Sequence, residues 1–97
     1  MSNDFIIGQV VISTRGRDKG NEFIVIEKDE QYVYLVDGDL RKIETPKKKK
    51  MKHVEKTTKI ILEIQKMINK GTNITNSKIK KMLKSYEDLK EGLNVSE

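Results

Sequence analysis

The chain contains a single proline, Pro46, and the spacing of its apolar residues changes near it. Before Pro46, short β-branched and aromatic runs are separated by turns that contain glycine, which is the pattern of β-strands. After residue 56, apolar residues recur at helical spacings. For a chain of 97 residues, this division predicts an α+β fold, with a small β-barrel and a basic extension over residues 1–56. Residues 57–97 are expected to form a two-helix appendage with a frayed end.

Four strands are expected in the first half, over residues 9–14, 22–27, 31–36 and 40–43. Closing these strands into a barrel would remove the exposed edges of an open sheet. Turns are expected at three glycines, because glycine readily adopts positive φ angles; these are Gly16, Gly20 and Gly38. We expect Phe23 and at least one of Tyr32 and Tyr34 in the core, which leaves few aromatic rings for base stacking.

Two amphipathic helices are expected in the second half. The first has Thr57 or Thr58 at its start and Gly71 at its end. The second starts at Thr75, with Ile74 and Ile79 packed together across the cap. Its apolar stripe consists of Ile79, Met82, Leu83, Tyr86 and Leu89, and Lys80, Lys81 and Lys84 lie opposite. Either the stripes are buried against each other or the barrel, or one helix faces a partner. Fraying is expected from about Gly92.

Positive charge is concentrated in two segments of the first half. The first turn carries Arg15, Arg17 and Lys19 next to its two glycines, and Lys47–Lys50 is an uninterrupted lysine run. Arg41 and Lys42 precede this run, and Lys52 and His53 follow it. Because the net charge is only +5, this clustering is more informative than the total. Cations held on an ordered backbone suit a polyanion such as RNA, whereas the alternative is an ordinary solvated surface.

Other classes of function find little support. The chain has no cysteine and one histidine, so a soft metal site cannot be assembled, and we expect no metal and no cofactor. Asp37 and Asp39 flank a glycine, which fits a turn better than a pair of catalytic carboxylates. Ser13 and Thr14 have no plausible base, and no phosphate-cradling loop motif occurs. We therefore expect no enzymatic activity and no small-molecule substrate. Without a signal peptide or a long apolar run, a cytoplasmic protein with no membrane partner is expected.

Three blocks of sequence, taken together, resemble a known family. The blocks are the segment from Gly8 to Ile26 with Gly16-Arg-Asp-Lys-Gly20, then Asp37-Gly-Asp-Leu-Arg-Lys42, then Pro46-Lys-Lys-Lys-Lys-Met-Lys-His53. They are similar to KOW motifs, and in particular to the fourteen-e family of large-subunit ribosomal proteins. The resemblance covers residues 8–54. The second half and the composition look more like small KOW-containing RNA-binding proteins of low-GC bacteria.

The resemblance implies an SH3-like barrel whose loops bind ribosomal RNA of the large subunit, with ribosomal proteins as further candidate partners. The RNA-binding residues that it implies are Arg15, Arg17, Lys19, Arg41, Lys42, Lys47, Lys48, Lys49, Lys50, Lys52 and His53. Lys80, Lys81 and Lys84 are candidates for a second RNA contact. The expected function is non-enzymatic binding of structured RNA by a ribosome-associated, assembly or translation factor. The alternative is a protein-interaction module that uses the barrel or the helices.

Overall fold

The computed structural model describes the backbone of residues 5–95 and the side chains of residues 5–85. Over this range, five strands form one antiparallel sheet in the order β4-β3-β2-β1-β5. The strands are β1 Gln9–Ser13, β2 Glu22–Lys28, β3 Tyr32–Val36, β4 Lys47–Lys50 and β5 Val54–Ile60. The helices are α1 Leu62–Lys70 and α2 Asn76–Val95, and a 3₁₀ turn at Met51–His53 joins β4 to β5. The predicted α+β class is confirmed.

One face of the sheet forms an apolar cluster of its own. Val11 on β1 pairs with Phe23 on β2, and Val25 on β2 pairs with Leu35 on β3. These four side chains are completely buried, and Phe5, Val33 and Val54 are buried in the same cluster. Met51 packs against the same cluster, so Met51 and Val54 anchor the chain after the lysine run.

The other face of the sheet is covered by both helices. Val10, Ile24 and Val36 lie side by side on three neighbouring strands. They form a second cluster with Ile64 of α1 and with Ile79 and Leu83 of α2. The structure therefore favours burial of the helical stripes against the sheet over a helix that faces a partner. The predicted stripe residues Tyr86 and Leu89 lie outside the residues whose side chains are described.

The expected strand at residues 40–43 is wrong. These residues belong to a loop, residues 37–46, and β3 instead pairs with β4, where Tyr32 is opposite Lys50 and Leu35 is opposite Lys47. Four lysines have little intrinsic preference for a strand, but pairing with β3 compensates for this. As β4 is an edge strand, its lysines also discourage pairing with another chain.

The expected start of the first helix at Thr57 or Thr58 is also wrong. Residues 54–60 form β5, which pairs with β1, so the sheet extends beyond residue 56. The Thr57 hydroxyl donates to the Val10 carbonyl at 2.7 Å, and the Gln9 side-chain amide donates through Nε2 to the Thr57 carbonyl at 3.0 Å. These bonds accompany a register shift between Gln9 and Val11. The β-branched threonines fit this strand, and α1 begins only at Leu62.

The other helix ends agree with the sequence more closely. Gly71 ends α1 with a φ of 71°. The Lys78 amide donates to the Thr75 hydroxyl at 3.2 Å, so Thr75 caps α2 as predicted. Backbone of α2 continues past Gly92, where fraying was expected, to Val95. Within the described part of the chain, neither helix has the length and apolarity needed to cross a membrane.

Candidate nucleic-acid interface

The loop between β1 and β2, residues 14–21, is a tight hairpin connection. The Gly20 amide donates to the Ser13 carbonyl at 2.8 Å, and the Ser13 amide donates to the Asn21 carbonyl at 3.0 Å. Gly16 and Gly20 have φ angles of 87° and 90°, as their predicted turn role requires. The loop leaves the side chains of Arg15, Arg17 and Lys19 exposed.

Lys49, a residue of β4, fixes this loop to the sheet by hydrogen bonds. Its ammonium group donates to Asp18 Oδ1 at 2.8 Å and to the Arg15 carbonyl at 2.5 Å. The Lys49 side chain is only 8% exposed, and that of Asp18 is 16% exposed. Lys49 is thus a structural lysine whose ammonium group is buried and engaged inside the protein.

Asp18 completes this clamp. The Ser13 hydroxyl donates to the same carboxylate oxygen at 2.7 Å. Partial burial alone would raise the pKa of Asp18, but the hydrogen bonds from Lys49 and Ser13 and the charge of Lys49 outweigh it. The pKa of Asp18 therefore lies below its ordinary value of 3.8. An ionised, occupied carboxylate adds little repulsion for a phosphate at the outer surface of the loop.

The loop between β3 and β4 is folded back onto α2. The Asp37 carboxylate accepts hydrogen bonds from the amides of Asp39 and Arg41 at 2.9 and 2.8 Å. This arrangement supports the turn interpretation of Asp37. Gly38 has a φ of 80°, and a Cβ at this position would collide with the Asn76 carbonyl oxygen and lie 2.9 Å from the Lys80 backbone nitrogen. The Ile43 amide donates to the Asn76 side chain at 2.7 Å. The loop position is therefore fixed by the start of α2.

The two loops and β4 enclose a groove of about 380 Å³, which we call the cationic groove. Its basic side chains are Arg17 from the first loop, Arg41 from the second and Lys47 from β4, with Lys49 at the base. Asn21, Leu40 and Phe23 also line the groove. Among the described residues that line the groove, Asp18 is the one carboxylate, and it is engaged by Lys49. The first loop thus adds positive charge to that of Arg41 and Lys47, from which it is distant in sequence.

A second basic group lies beside the groove at the 3₁₀ turn. The Thr14 amide donates to the His53 carbonyl at 2.9 Å, which places this turn next to the first loop. Partial burial, followed by the positive charges of Arg15, Lys52 and Lys50, lowers the pKa of His53 below its ordinary value of 6.5. Arg15, Lys50, Lys52 and His53 are therefore close enough to interact electrostatically.

Lys48 points to the opposite face of β4 from Lys47 and Lys49. Its ammonium group lies 4.4 Å from the centre of the Tyr32 ring. Tyr32 and Tyr34 are half-buried, so the expectation that one of them belongs to the core is wrong. The alternation in Tyr32-Val33-Tyr34-Leu35 could have shown this, because Val33 and Leu35 occupy the buried face. Phe23 is in the core as predicted.

The remaining predicted contacts are more scattered. Lys19 and Lys42 are exposed on the two loops, and the charge of Lys42 acts on the nearby Glu44 carboxylate. Lys80, Lys81 and Lys84 are exposed on α2, and the backbone of Lys80 lies next to Gly38. Lys81 lines a separate cavity between the two helices.

Two features of the groove were not predicted. Leu40 is 69% exposed at the wall, where the sequence had suggested a strand residue. The backbone of Asn21 closes the first loop by hydrogen bonds, and Asn21 also lines the groove. Neither carries a signal in the sequence, because each depends on how the two loops meet.

Within the described residues, no cluster of three or more histidine or acidic side chains is arranged as a metal site. Comparison of the chain with protein-family models and with curated proteins finds no match.

Proposed function

We propose that this protein binds structured RNA without catalysing a reaction, and that the cationic groove is its main contact. The observation that carries the proposal is the convergence of Arg17, Arg41 and Lys47 from three chain segments. Guanidinium groups match phosphate oxygens in geometry, and lysine adds a further point charge. An adjacent basic group at Arg15, Lys52 and His53 would extend the contact along the first loop.

The proposal includes an SH3-like KOW barrel and a ribosomal RNA target. Support for the barrel comes from the five-stranded antiparallel sheet, from its self-contained apolar cluster and from the KOW-like sequence blocks. The glycine-containing first loop of that motif is the segment that presents Arg15 and Arg17. Lys49 is left out of the proposed interface, because its ammonium group is buried and engaged.

Phosphate contacts would dominate this interface. Of the predicted RNA-binding residues outside α2, all except His53 are arginines or lysines, which bind backbone phosphates and position a protein on RNA. Lys48 already covers one face of the half-buried Tyr32 ring, so a base cannot stack on that face while Lys48 stays in place. These features favour RNA with a defined shape over extended single strands.

Salt-dependent binding of two matched double variants tests the proposal. Arg17→Ala/Arg41→Ala removes two charges from the groove, whereas Lys66→Ala/Lys70→Ala removes two exposed charges from α1. Each lost phosphate contact should reduce the slope of log K against log salt by about 0.7–0.9. We expect the groove variant to lose most of its affinity for ribosomal RNA and the α1 variant to keep it. Equal losses in both would contradict a defined site.

Sedimentation of cell extract tests the ribosomal part of the proposal separately. On a sucrose gradient at low salt, the protein should comigrate with the large ribosomal subunit, and high salt should release it. Protein that stays at the top of the gradient at all salt concentrations would contradict a ribosomal target. If the protein still bound RNA in the preceding assay, its target in the cell would then be an RNA other than that of the large ribosomal subunit.

A protein-interaction module is the second candidate function. It is favoured by exposed apolar side chains around α1, where Leu62 is 58% exposed and Ile6 and Ile68 are each 39% exposed. Apolar docking depends little on salt, whereas binding through lysine and arginine weakens steeply as salt rises. Salt-insensitive retention of the protein on a partner, lost in Leu62→Ala, would favour this function.

A further inference from the structure

The cationic groove is concave and partly apolar, which binding to phosphates alone does not require. Its volume of about 380 Å³ lies near the lower end of the range for small-ligand pockets. Phosphates on a duplex lie on a convex surface and can be bound by cations on an open face. A recess of this size instead fits one small planar group, such as a base, that projects from the RNA surface.

Leu40 supplies the apolar part of that recess. Its side chain is 69% exposed, although exposing apolar surface to water is unfavourable in free energy. The loop that carries it is fixed, because the Arg41 amide is bonded to Asp37 and the Ile43 amide to Asn76. Leu40 is therefore held at the groove by an ordered backbone.

Charged and polar groups surround this apolar surface. Arg17 and Arg41 can place guanidinium planes against a base or donate to its phosphate, and Lys47 adds a third cation. The Asn21 side chain offers both a donor and an acceptor, as needed to bond the edge of a base. Unpaired bases in RNA are commonly recognised by this combination of stacking and edge contacts.

We infer that the cationic groove takes a single unpaired nucleotide of an otherwise paired RNA. The base lies against Leu40 and one arginine, and its phosphates are bound by the remaining cations. This inference rests on the proposed RNA-binding function and adds its substrate class, namely RNA with a bulged or flipped nucleotide. Bare duplex would bind through phosphates only, and more weakly.

Two RNA hairpins that differ by one unpaired nucleotide provide the test. One is fully paired, and the other carries a single bulged 2-aminopurine whose fluorescence reports stacking. We expect the protein to bind the bulged hairpin about tenfold more tightly at the same salt concentration, which is at the lower end of the effect of stacking one base on an aromatic side chain. Binding should change the fluorescence of the bulged base.

Leu40→Ala is the critical variant, and Leu62→Ala is its control on another surface. Both leucines are largely exposed, so neither change removes core packing. Leu40→Ala should lose most of the tenfold preference and keep the salt slope, whereas Leu62→Ala should keep both. If Leu40→Ala retains the preference, the base does not lie where we place it, and the inference is overturned.

The outcomes also separate this inference from the function on which it rests. Equal, salt-dependent binding of both hairpins would overturn the unpaired-nucleotide site and leave RNA binding intact. Failure to bind either hairpin or ribosomal RNA would overturn both. Free adenosine monophosphate is a third probe: if it binds as tightly as the bulged hairpin, the groove is a mononucleotide site and the inference is wrong.

Discussion

Replacing Lys49 with methionine should destabilise the protein far more than replacing its neighbour Lys50. Lys49→Met keeps the length and apolar stem of the side chain but removes an ammonium group that bonds Asp18 and the Arg15 carbonyl. A hydrogen bond to a charged group contributes about 1.5–3 kcal/mol and a neutral one about 1 kcal/mol. Asp18 is 16% exposed, so water can partly replace the lost donor. We therefore expect a net loss of about 2–3 kcal/mol.

Urea unfolding followed by circular dichroism measures this loss. For a domain of this size, 2–3 kcal/mol corresponds to a drop in melting temperature on the order of 10 °C. Lys50→Met removes the same charge from the same strand, but Lys50 is exposed, so its effect should stay within about 0.5 kcal/mol. In Lys49→Met combined with Asp18→Asn, part of the stability should return, because no buried carboxylate is left without its cation.

The result that would refute this reasoning is equal stability of the two lysine variants. It would mean that the hydrogen bonds of Lys49 contribute no more to the free energy of unfolding than the solvated ammonium group of Lys50 does. The first loop would then not be held by β4, and the ordered presentation of Arg15 and Arg17 would lose its structural basis.

Four further predictions concern the turns and the titrating groups. Gly38→Ala should cost about 3 kcal/mol or more, because its Cβ would collide with the Asn76 carbonyl oxygen and lie 2.9 Å from the Lys80 backbone nitrogen. Gly20→Val has open space at a φ of 90° and should cost only the backbone strain, about 1–3 kcal/mol, in the same unfolding assay. Because the folded-state pKa of Asp18 lies below 3.8, ionised Asp18 stabilises the folded protein above that pH, and this stabilisation is lost as the pH falls through the folded-state pKa. Melting curves of the parent protein and of Asp18→Asn, recorded over a range of pH, check this. Phosphate near His53 should raise its pKa, so RNA affinity should increase as the pH falls from about 7.5 to about 6, and His53→Gln should flatten that dependence in filter binding.

Much of the first half could be predicted because its signals are local. Apolar alternation and glycine turns defined β1, β2 and β3 to within a residue or two, with positive φ angles at Gly16, Gly20 and Gly38. The start of α2 at Thr75 and the end of α1 at Gly71 follow from capping chemistry, which is also local.

The two edge strands could not be predicted because pairing partners decide them. Lys47–Lys50 has no apolar pattern, and it becomes β4 only by pairing with β3. Residues 57–60 fit either a strand or the start of a helix, and the bonds between Thr57 and β1 decide for β5. Lys49 is missed for the same reason, since its burial follows from the alternation of a strand that the sequence does not reveal.

The candidate site was predictable in its charges and not in its shape. The sequence identifies Arg17 on the first turn, Arg41 in an expected strand and Lys47 in the lysine run as candidate RNA-binding cations, and the structure brings them around one groove. Leu40 and Asn21 join them only because the second loop is bonded to the start of α2. A groove between two loops depends on contacts between distant segments, which local patterns do not specify.

Chemical-shift mapping of the backbone amides during titration with a ribosomal RNA fragment tests the central claim most directly. If RNA binds at the cationic groove, the largest changes should fall in residues 14–21, in residues 37–46 and along β4, and added salt should reverse them. Changes confined to α1, α2 and β5, or none at concentrations where RNA is bound, would contradict the account.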